Sequence, residues 1–371
     1  MTNSQQAFLK LIRLGIGKDE TGIPNGVDWN AVEALAERHG LLGVIVDGVQ
    51  KLPENQRPPQ LIWLRWVGKV MQNEFQYGAQ QKASAELALM FHNNDIRTYV
   101  LKGSIVAECY PKPSCRLSVD YDCFLVDDGS TGSPQENDNE NNVWEIGNQV
   151  IENAGFEVKR NFYKNSTIYL PDLMVENHRY MVPFRGNKRL KSLERLLQQL
   201  INDGSAGSPQ ENENRFEGTW LYRPPVMVSA LFLIEHAYSH FLHEGLNWRY
   251  VLDWVMFNRK HKADIDWPVF DALVDEFGFR KFYDSYFKLG KYLLGELAES
   301  ELTDLDKKML ADIWAEKKKH KSDSGLKGKM GLAANTWNAR WKYHYFSPIS
   351  MPQALWIQVK GYLFDKNPKL S

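Results

Sequence analysis

One short segment, residues 101–126, constrains the fold more tightly than any other part of this 371-residue chain. Its pattern predicts a strand, a Gly103-Ser104 turn that opens a short helix, and a second strand that begins at Asp120-x-Asp122. Side chains two residues apart on a strand point to the same face, so Asp120 and Asp122 are expected to lie side by side. Two adjacent carboxylates repel each other unless a cation lies between them.

The residues around this carboxylate pair predict a metal-bound nucleoside triphosphate. Mg²⁺ is the hard cation that binds a few carboxylates, several waters and a polyphosphate, and Mn²⁺ is its expected substitute. Free N–H groups at Gly103 and Ser104 can hold the phosphate chain. Lys102 and Arg116 are expected to neutralise phosphate charge. The alternatives are a surface lysine at the end of the strand and, for Arg116, an ion pair with the aspartates themselves.

These residues also carry a resemblance to a known family. A Gly-Ser followed by an Asp-x-Asp strand resembles the nucleotidyltransferase superfamily that includes DNA polymerase beta. The sequence is more closely similar to a bacterial family described as uncharacterised nucleotidyltransferases. The likeness covers about residues 28–260 and rests on Leu101-Lys102-Gly103, Tyr110-Pro111, Arg116 with Asp120 and Asp122, and Val175-Glu176-Asn177-His178. Cys123 is a mild departure, because family members more often have an aliphatic residue there.

The resemblance implies transfer of a nucleoside monophosphate from a nucleoside triphosphate (NTP) to a hydroxyl group, with release of pyrophosphate. Glu176 is the expected third carboxylate, which either completes a two-metal clamp or acts as the base toward the acceptor hydroxyl. Asp172 is its rival, although Pro171 before it indicates a turn. His178 lies two residues after Glu176 and should face the same side, where it contacts the nucleotide or hydrogen-bonds to Glu176.

Two other functions fit the same residues. A kinase-like γ-phosphoryl transfer also uses Mg²⁺, a lysine and paired carboxylates. A nucleotide-binding or partner-binding module would hold the nucleotide without turnover. The acceptor is expected to be a small molecule or a protein, because 45 Lys and Arg against 46 Asp and Glu leave a net charge of −1 and give no support for a long nucleic acid.

The remaining composition predicts a cytoplasmic protein. The three cysteines, Cys109, Cys115 and Cys123, show no paired metal-ligand spacing and give an odd number, which argues against a disulfide framework. The N-terminus lacks the pattern of a signal peptide, and no apolar run has the ~20 residues of a membrane span.

The predicted fold class is α+β, with a small mixed nucleotidyltransferase sheet between helical regions. The expected domains are an N-terminal helical region (1–94), a nucleotidyltransferase core (95–186) and a C-terminal helical region (187–371). Helix-period spacing marks 4–15, 29–52 (after an Asp28 N-cap) and 61–93, and it places Leu61, Leu64, Val67, Val70 and Met71 on one helix face. Predicted strands are 96–101, 119–126, 156–162, 166–170 and 173–180.

Two further features have no assigned role in this chemistry. The similar polar stretches 129–141 and 204–214 contain no apolar residues and are predicted to be mobile loops. His236 and His240 lie one helical turn apart, a spacing found in metal sites. We expect a structural network there, with a phosphate or base contact by His240 as the alternative.

Overall fold

The computed structural model describes residues 1–20, 22–116, 118, 120–128, 140–161, 164–184, 186–205, 214–315, 337 and 339–364. Most of the two stretches predicted to be loops, 129–141 and 204–214, lies outside the described residues. The chain divides into two compact units, one of Met1–Pro183 and Glu194–Ser229 and one of Phe184–Leu193 and Ala230–Lys366. The expected domain boundaries after residues 94 and 186 stay predictions.

The first part of the chain contains seven helices and six strands in the described residues. The helices are α1 (Asn3–Gly15), α2 (Trp29–Arg38), α3 (Leu42–Gln50), α4 (Gln60–His92), α5 (Ser104–Ala107), α6 (Glu140–Asn153) and α7 (Lys188–Ser205). The strands are β1 (Ile96–Val100), β2 (Tyr121–Asp127), β3 (Glu157–Asn161), β4 (Asn165–Leu170), β5 (Leu173–His178) and β6 (Leu221–Tyr222).

The sheet is six-stranded and mixed, with the order β3-β4-β5-β2-β1-β6. Strands β1 and β2 are antiparallel, whereas β2 and β5 run parallel. The hydrophobic core brings together Phe91 of α4, Ile151 of α6, Val100 of β1, Leu125 of β2 and Val175 of β5. The α+β prediction with a mixed sheet is confirmed, because long helices cover a sheet whose strand directions alternate irregularly.

The region 29–52, which helix-period spacing marks in the sequence, contains two helices. Asp28 caps α2 as predicted, since its carboxylate accepts hydrogen bonds from the backbone N–H groups of Asn30 and Ala31. The helix ends before Gly40, which has a φ of 65°. A glycine adopts this left-handed conformation without a steric penalty, so it ends α2 and lets α3 start in a new direction.

The apolar face predicted for the long helix is wrong in part. Val70 is buried, but Leu61, Leu64 and Met71 are exposed. Trp66, which is fully buried, defines the inner face, and its ring lies 6.0 Å from that of Trp29 in an edge contact. Packing of the large indole against α2 has therefore fixed the rotation of α4.

The described residues of the second unit are mainly helical, as predicted for the region after Pro225. It contains most of α8 (Val226–His243). The helices that follow are α9 (Trp248–His261), α10 (Trp267–Glu276), α11 (Arg280–Leu293), α12 (Asp304–Trp314), α13 (Arg340–Phe346) and α14 (Met351–Phe364). Its interior is aromatic, with Trp254 near Phe270 and Tyr283. None of the helices in the described ranges combines the length and apolarity required to span a bilayer.

Candidate active site

The parallel pairing of β2 with β5 brings the predicted carboxylates together. Asp122 is in register with Glu176, and His178 is two residues further along β5. One ligand atom from each of these three side chains lies within 4.8 Å of the others, and no other such group of three was found in the described part of the chain. The expectation that Glu176 and His178 share a side of the strand is confirmed, because His178 Nε2 lies 3.7 Å from Glu176 Oε2.

Lys102 connects the two aspartates. Its Nζ lies 3.2 Å from Asp122 Oδ2 and 3.6 Å from Asp120 Oδ2, although Asp120 itself immediately precedes β2. The interpretation of Lys102 as a surface lysine is wrong, because its side chain is only 14% exposed. The two carboxylates thus face one cation.

The charge state of Asp122 follows from its surroundings. The side chain is 1% exposed, and this burial raises the pKa, but Lys102 and a hydrogen bond from His178 act more strongly in the other direction. Their combined effect lowers the pKa of Asp122 to about 2, so the carboxylate is ionised at neutral pH.

His178 orients Asp122 and does not hydrogen-bond to Glu176. His178 Nε2 lies 2.9 Å from Asp122 Oδ1, and an ionised carboxylate can only accept, so the Nε2–H group donates. The distance to Glu176 is too long for a hydrogen bond. Sequence reasoning missed this pairing because it spans two strands. It also missed Lys164, whose Nζ lies 3.6 Å from Glu176 Oε2.

The donor set fits a divalent cation. Asp122 Oδ2 is buried, and the Lys102 ammonium at 3.2 Å leaves part of its acceptor capacity unused. A buried carboxylate oxygen with unused acceptor capacity is a natural cation ligand. Carboxylate oxygens suit Mg²⁺ and Mn²⁺, and an adjacent imidazole widens the choice toward Mn²⁺ and later transition metals. The rival Asp172 is exposed in the turn between β4 and β5.

The Gly103-Ser104 turn has the conformation that its sequence predicted. Gly103 has a φ of 75°, and a Cβ atom there would lie 3.3 Å from Ser118 Oγ, so both backbone and space favour glycine. Helix α5, however, contains only four residues. Its macrodipole is small, so phosphate binding at this position depends on the N–H groups of the turn.

Helix α4 contributes residues that sequence reasoning did not identify. Gln81 Nε2 donates a hydrogen bond of 2.9 Å to Ser104 Oγ, and Gln80 Nε2 lies 3.4 Å from the carbonyl oxygen of Ser118. A small pocket opens between this helix and the turn. Its lining includes Tyr77, Gln80, Gln81, Gly103, Ser104, Arg116, Ser118 and Asp120. Nothing in the sequence of an amphipathic helix distinguishes these glutamines from solvent-facing ones.

The histidine pair of the second unit forms an aromatic cluster. The rings of His236 and His240 are 4.5 Å apart at their centroids, and both contact Tyr250. His240 Nδ1 also lies 3.1 Å from Glu244 Oε2. These contacts favour the predicted structural network.

A mixed sheet that places three acidic side chains beside a Gly-Ser turn and a lysine has the features of a nucleotidyltransferase. The comparison with protein families agrees: the model of a family described as "Uncharacterised nucleotidyltransferase" matches residues 25–135 and 143–295. The chain belongs to this family, and the resemblance inferred from its motifs is confirmed. Searches of curated proteins and of solved structures found no match.

Proposed function

We propose that this protein is a metal-dependent nucleotidyltransferase that transfers a nucleoside monophosphate from an NTP to a hydroxyl-bearing acceptor. The observation that carries the proposal is the register of Asp122 with Glu176 on parallel strands, with Asp120 and Lys102 beside them. Membership of a nucleotidyltransferase family supports a nucleotidyl-transfer role.

Asp120 and Asp122 are the residues that would hold Mg²⁺ or Mn²⁺, and Glu176, the third carboxylate, lies in register with Asp122 on the neighbouring strand. When bound, the cation would offset the negative charge of the triphosphate and of the leaving pyrophosphate. Asp122 is suited to this role because it stays ionised at neutral pH. His178 keeps the Asp122 carboxylate in one orientation through the 2.9 Å hydrogen bond to Oδ1, which leaves Oδ2 for the site.

The nucleotide-binding residues in this proposal are Lys102, Gly103, Ser104, Arg116 and His178. The hydroxyl group of Ser104 already accepts a hydrogen bond from the amide of Gln81 and therefore keeps its own proton to donate to a phosphate oxygen. Arg116 and Asp120 line the same pocket, where a guanidinium group can bind phosphate in a bidentate manner. His178 would act through Asp122 in addition to any contact with the nucleotide.

Glu176 is the proposed base. Its side chain is 25% exposed, compared with 1% for Asp122, so an acceptor can approach it from solvent. In the reaction, the acceptor oxygen forms a bond to the α-phosphorus while the bond from that phosphorus to the bridging oxygen breaks. Pyrophosphate leaves with the electron pair, and the hydroxyl proton passes to Glu176. Positioning and charge neutralisation supply most of the rate enhancement.

The proposed acceptor is a small molecule or a protein side chain. The net charge of −1 offers no basic excess for a long nucleic acid. The cytoplasm is the proposed location, and the three free, buried cysteines support a reducing compartment.

A thermal-shift panel of ATP, GTP, CTP and UTP, with and without Mg²⁺ or Mn²⁺, tests the site. A nucleotide at a concentration far above its dissociation constant should raise the melting temperature by several degrees. We expect the metal-dependent shift to disappear in the Asp120→Asn/Asp122→Asn double variant. The matched control is Asp172→Asn, which removes an exposed carboxylate nearby and should keep the shift.

Labelled nucleotide then tests the reaction. Label on the α-phosphate should appear in the product, whereas label on the γ-phosphate should appear in pyrophosphate. Transfer of the γ-label instead would replace the proposal with the kinase-like reaction, and activity retained in Asp120→Asn would contradict the assigned site. Binding without turnover for every acceptor would favour the binding module.

A further inference from the structure

The outer face of α4 carries an apolar stripe with no partner among the described residues. Its four large side chains are exposed: Leu61 by 84%, Leu64 by 57%, Met71 by 64% and Phe75 by 79%. Two glycines, Gly68 and Gly78, continue the same line, and a Cβ added at either would meet nothing within 4 Å. We call these six residues the α4 stripe. Contiguous exposed apolar surface of this kind usually marks an interaction site.

The opposite face of α4 already has its partners. Trp66 and Val70 are buried, and Trp66 packs against Trp29. The charged residues beside the stripe are also paired within the chain. Arg65 forms an ion pair with Glu33, and Lys112 forms one with Glu74. The stripe therefore presents apolar surface whose neighbouring charges are neutralised.

The spacing along the stripe is that of a coiled-coil seam. Its positions 61, 64, 68, 71, 75 and 78 alternate in steps of three and four, which is the a/d pattern of a heptad repeat. The seam starts after Pro59, which precedes the helix, and ends before Lys82, whose side chain is 80% exposed. The apolar surface that a partner helix would cover therefore has a defined length.

The stripe is complementary to itself in the antiparallel direction. In a two-fold pairing centred between residues 69 and 70, two of the large side chains lie opposite glycines, and the other two lie opposite each other. Leu61 lies opposite Gly78 of the partner subunit, and Met71 lies opposite Gly68 of the partner subunit. Leu64 lies opposite Phe75 of the partner subunit. Glycine destabilises an exposed helix relative to alanine, so helix stability does not explain the presence of Gly68 and Gly78.

We propose that the α4 stripe is the interface of a homodimer, in which two copies of α4 pack antiparallel across a two-fold axis. The four exposed side chains offer on the order of 500 Å² of surface per chain, so the pair reaches the lower end of specific interfaces. A membrane surface fits less well, because helices that lie on bilayers carry unpaired basic residues beside the apolar face. The dimer does not depend on the proposed nucleotidyl transfer.

The size of the interface predicts a dimer that dissociates on dilution. Sedimentation velocity of the full chain without nucleotide, from about 1 to about 100 μM, should show a monomer–dimer equilibrium. Met71→Glu would place a carboxylate in the apolar interface, opposite Gly68 of the partner subunit. It should raise the dissociation constant of the dimer at least about tenfold. The matched control is Val269→Glu, which introduces the same charge at an exposed apolar position of α10 and should dimerise normally.

Cross-linking tests the direction of the helices. Gly68→Cys and Met71→Cys proteins should form a covalent dimer under mild oxidation when mixed and little when oxidised separately. Circular dichroism should confirm that each variant is folded, as expected for exposed positions. A wild type that stays monomeric at all concentrations would overturn the proposal, as would a Met71→Glu dimer of unchanged affinity. Efficient cross-linking of either protein alone would overturn the antiparallel pairing.

Discussion

Replacing Asp122 by asparagine should destabilise the protein in a pH-dependent way. The substitution keeps the size of the side chain and removes the charge that faces Lys102 at 3.2 Å. The carboxylate has a pKa of about 2 in the folded protein and an ordinary value of 3.8. This difference corresponds to about 2 kcal/mol of folding free energy at neutral pH.

The sign follows from the direction of the shift. Because the folded pKa lies below the unfolded one, the stabilisation is complete above about pH 5 and is lost as the pH falls toward 2. About half of it, or about 1 kcal/mol, should already be gone at pH 3. The altered hydrogen bonding of the asparagine also lowers the free energy of unfolding, by an amount that does not vary with pH.

Equilibrium urea unfolding in EDTA at pH 7, 5, 4 and 3 measures this effect. The difference in unfolding free energy between wild type and Asp122→Asn should shrink by about 1 kcal/mol between pH 7 and pH 3. Asp172→Asn, in the exposed β4–β5 turn, should change stability by only a few tenths of a kcal/mol at any pH. A difference for Asp122→Asn that is equal at pH 7 and pH 3 would refute the electrostatic reasoning.

Substitutions at three further positions test other parts of the structure. Lys102→Met should raise the dissociation constant for Mg-NTP about tenfold, measured by calorimetry, because the site loses a cation that can neutralise phosphate; unchanged affinity would contradict this role. Gln81→Leu should lower kcat/KM about tenfold with an unchanged melting temperature, and Gln81→Glu should lower it further, since a carboxylate would accept the Ser104 hydroxyl proton that is proposed to bind phosphate; equal activity in all three proteins would remove Gln81 from the site. Glu194→Leu should cost roughly 3 kcal/mol in urea unfolding, because the buried carboxylate accepts hydrogen bonds from two backbone N–H groups; a loss below 1 kcal/mol would mean that water replaces it.

Local chemistry in the sequence was enough to locate the candidate site. The Gly103 turn, the Asp28 cap and the carboxylates at 120, 122 and 176 follow from backbone sterics, capping and strand alternation, each of which acts over a few residues. The same short-range rules predicted the sheet and the helical regions around it.

Contacts between elements could not be obtained in this way. The rotation of α4 depends on how Trp66 packs against Trp29, so the apolar periodicity alone assigned the wrong face. The hydrogen bond of His178 with Asp122 and that of Gln81 with Ser104 both join residues far apart in the chain.

The sequence by itself determined the class of fold, the family and the candidate metal ligands, because these depend on residue types at short, fixed spacings. Only the tertiary structure decided which side chains set the charge of Asp122 and which face of α4 remains exposed. Both depend on the pairing of elements distant in sequence, where burial and opposite charge alter the free energy of each group.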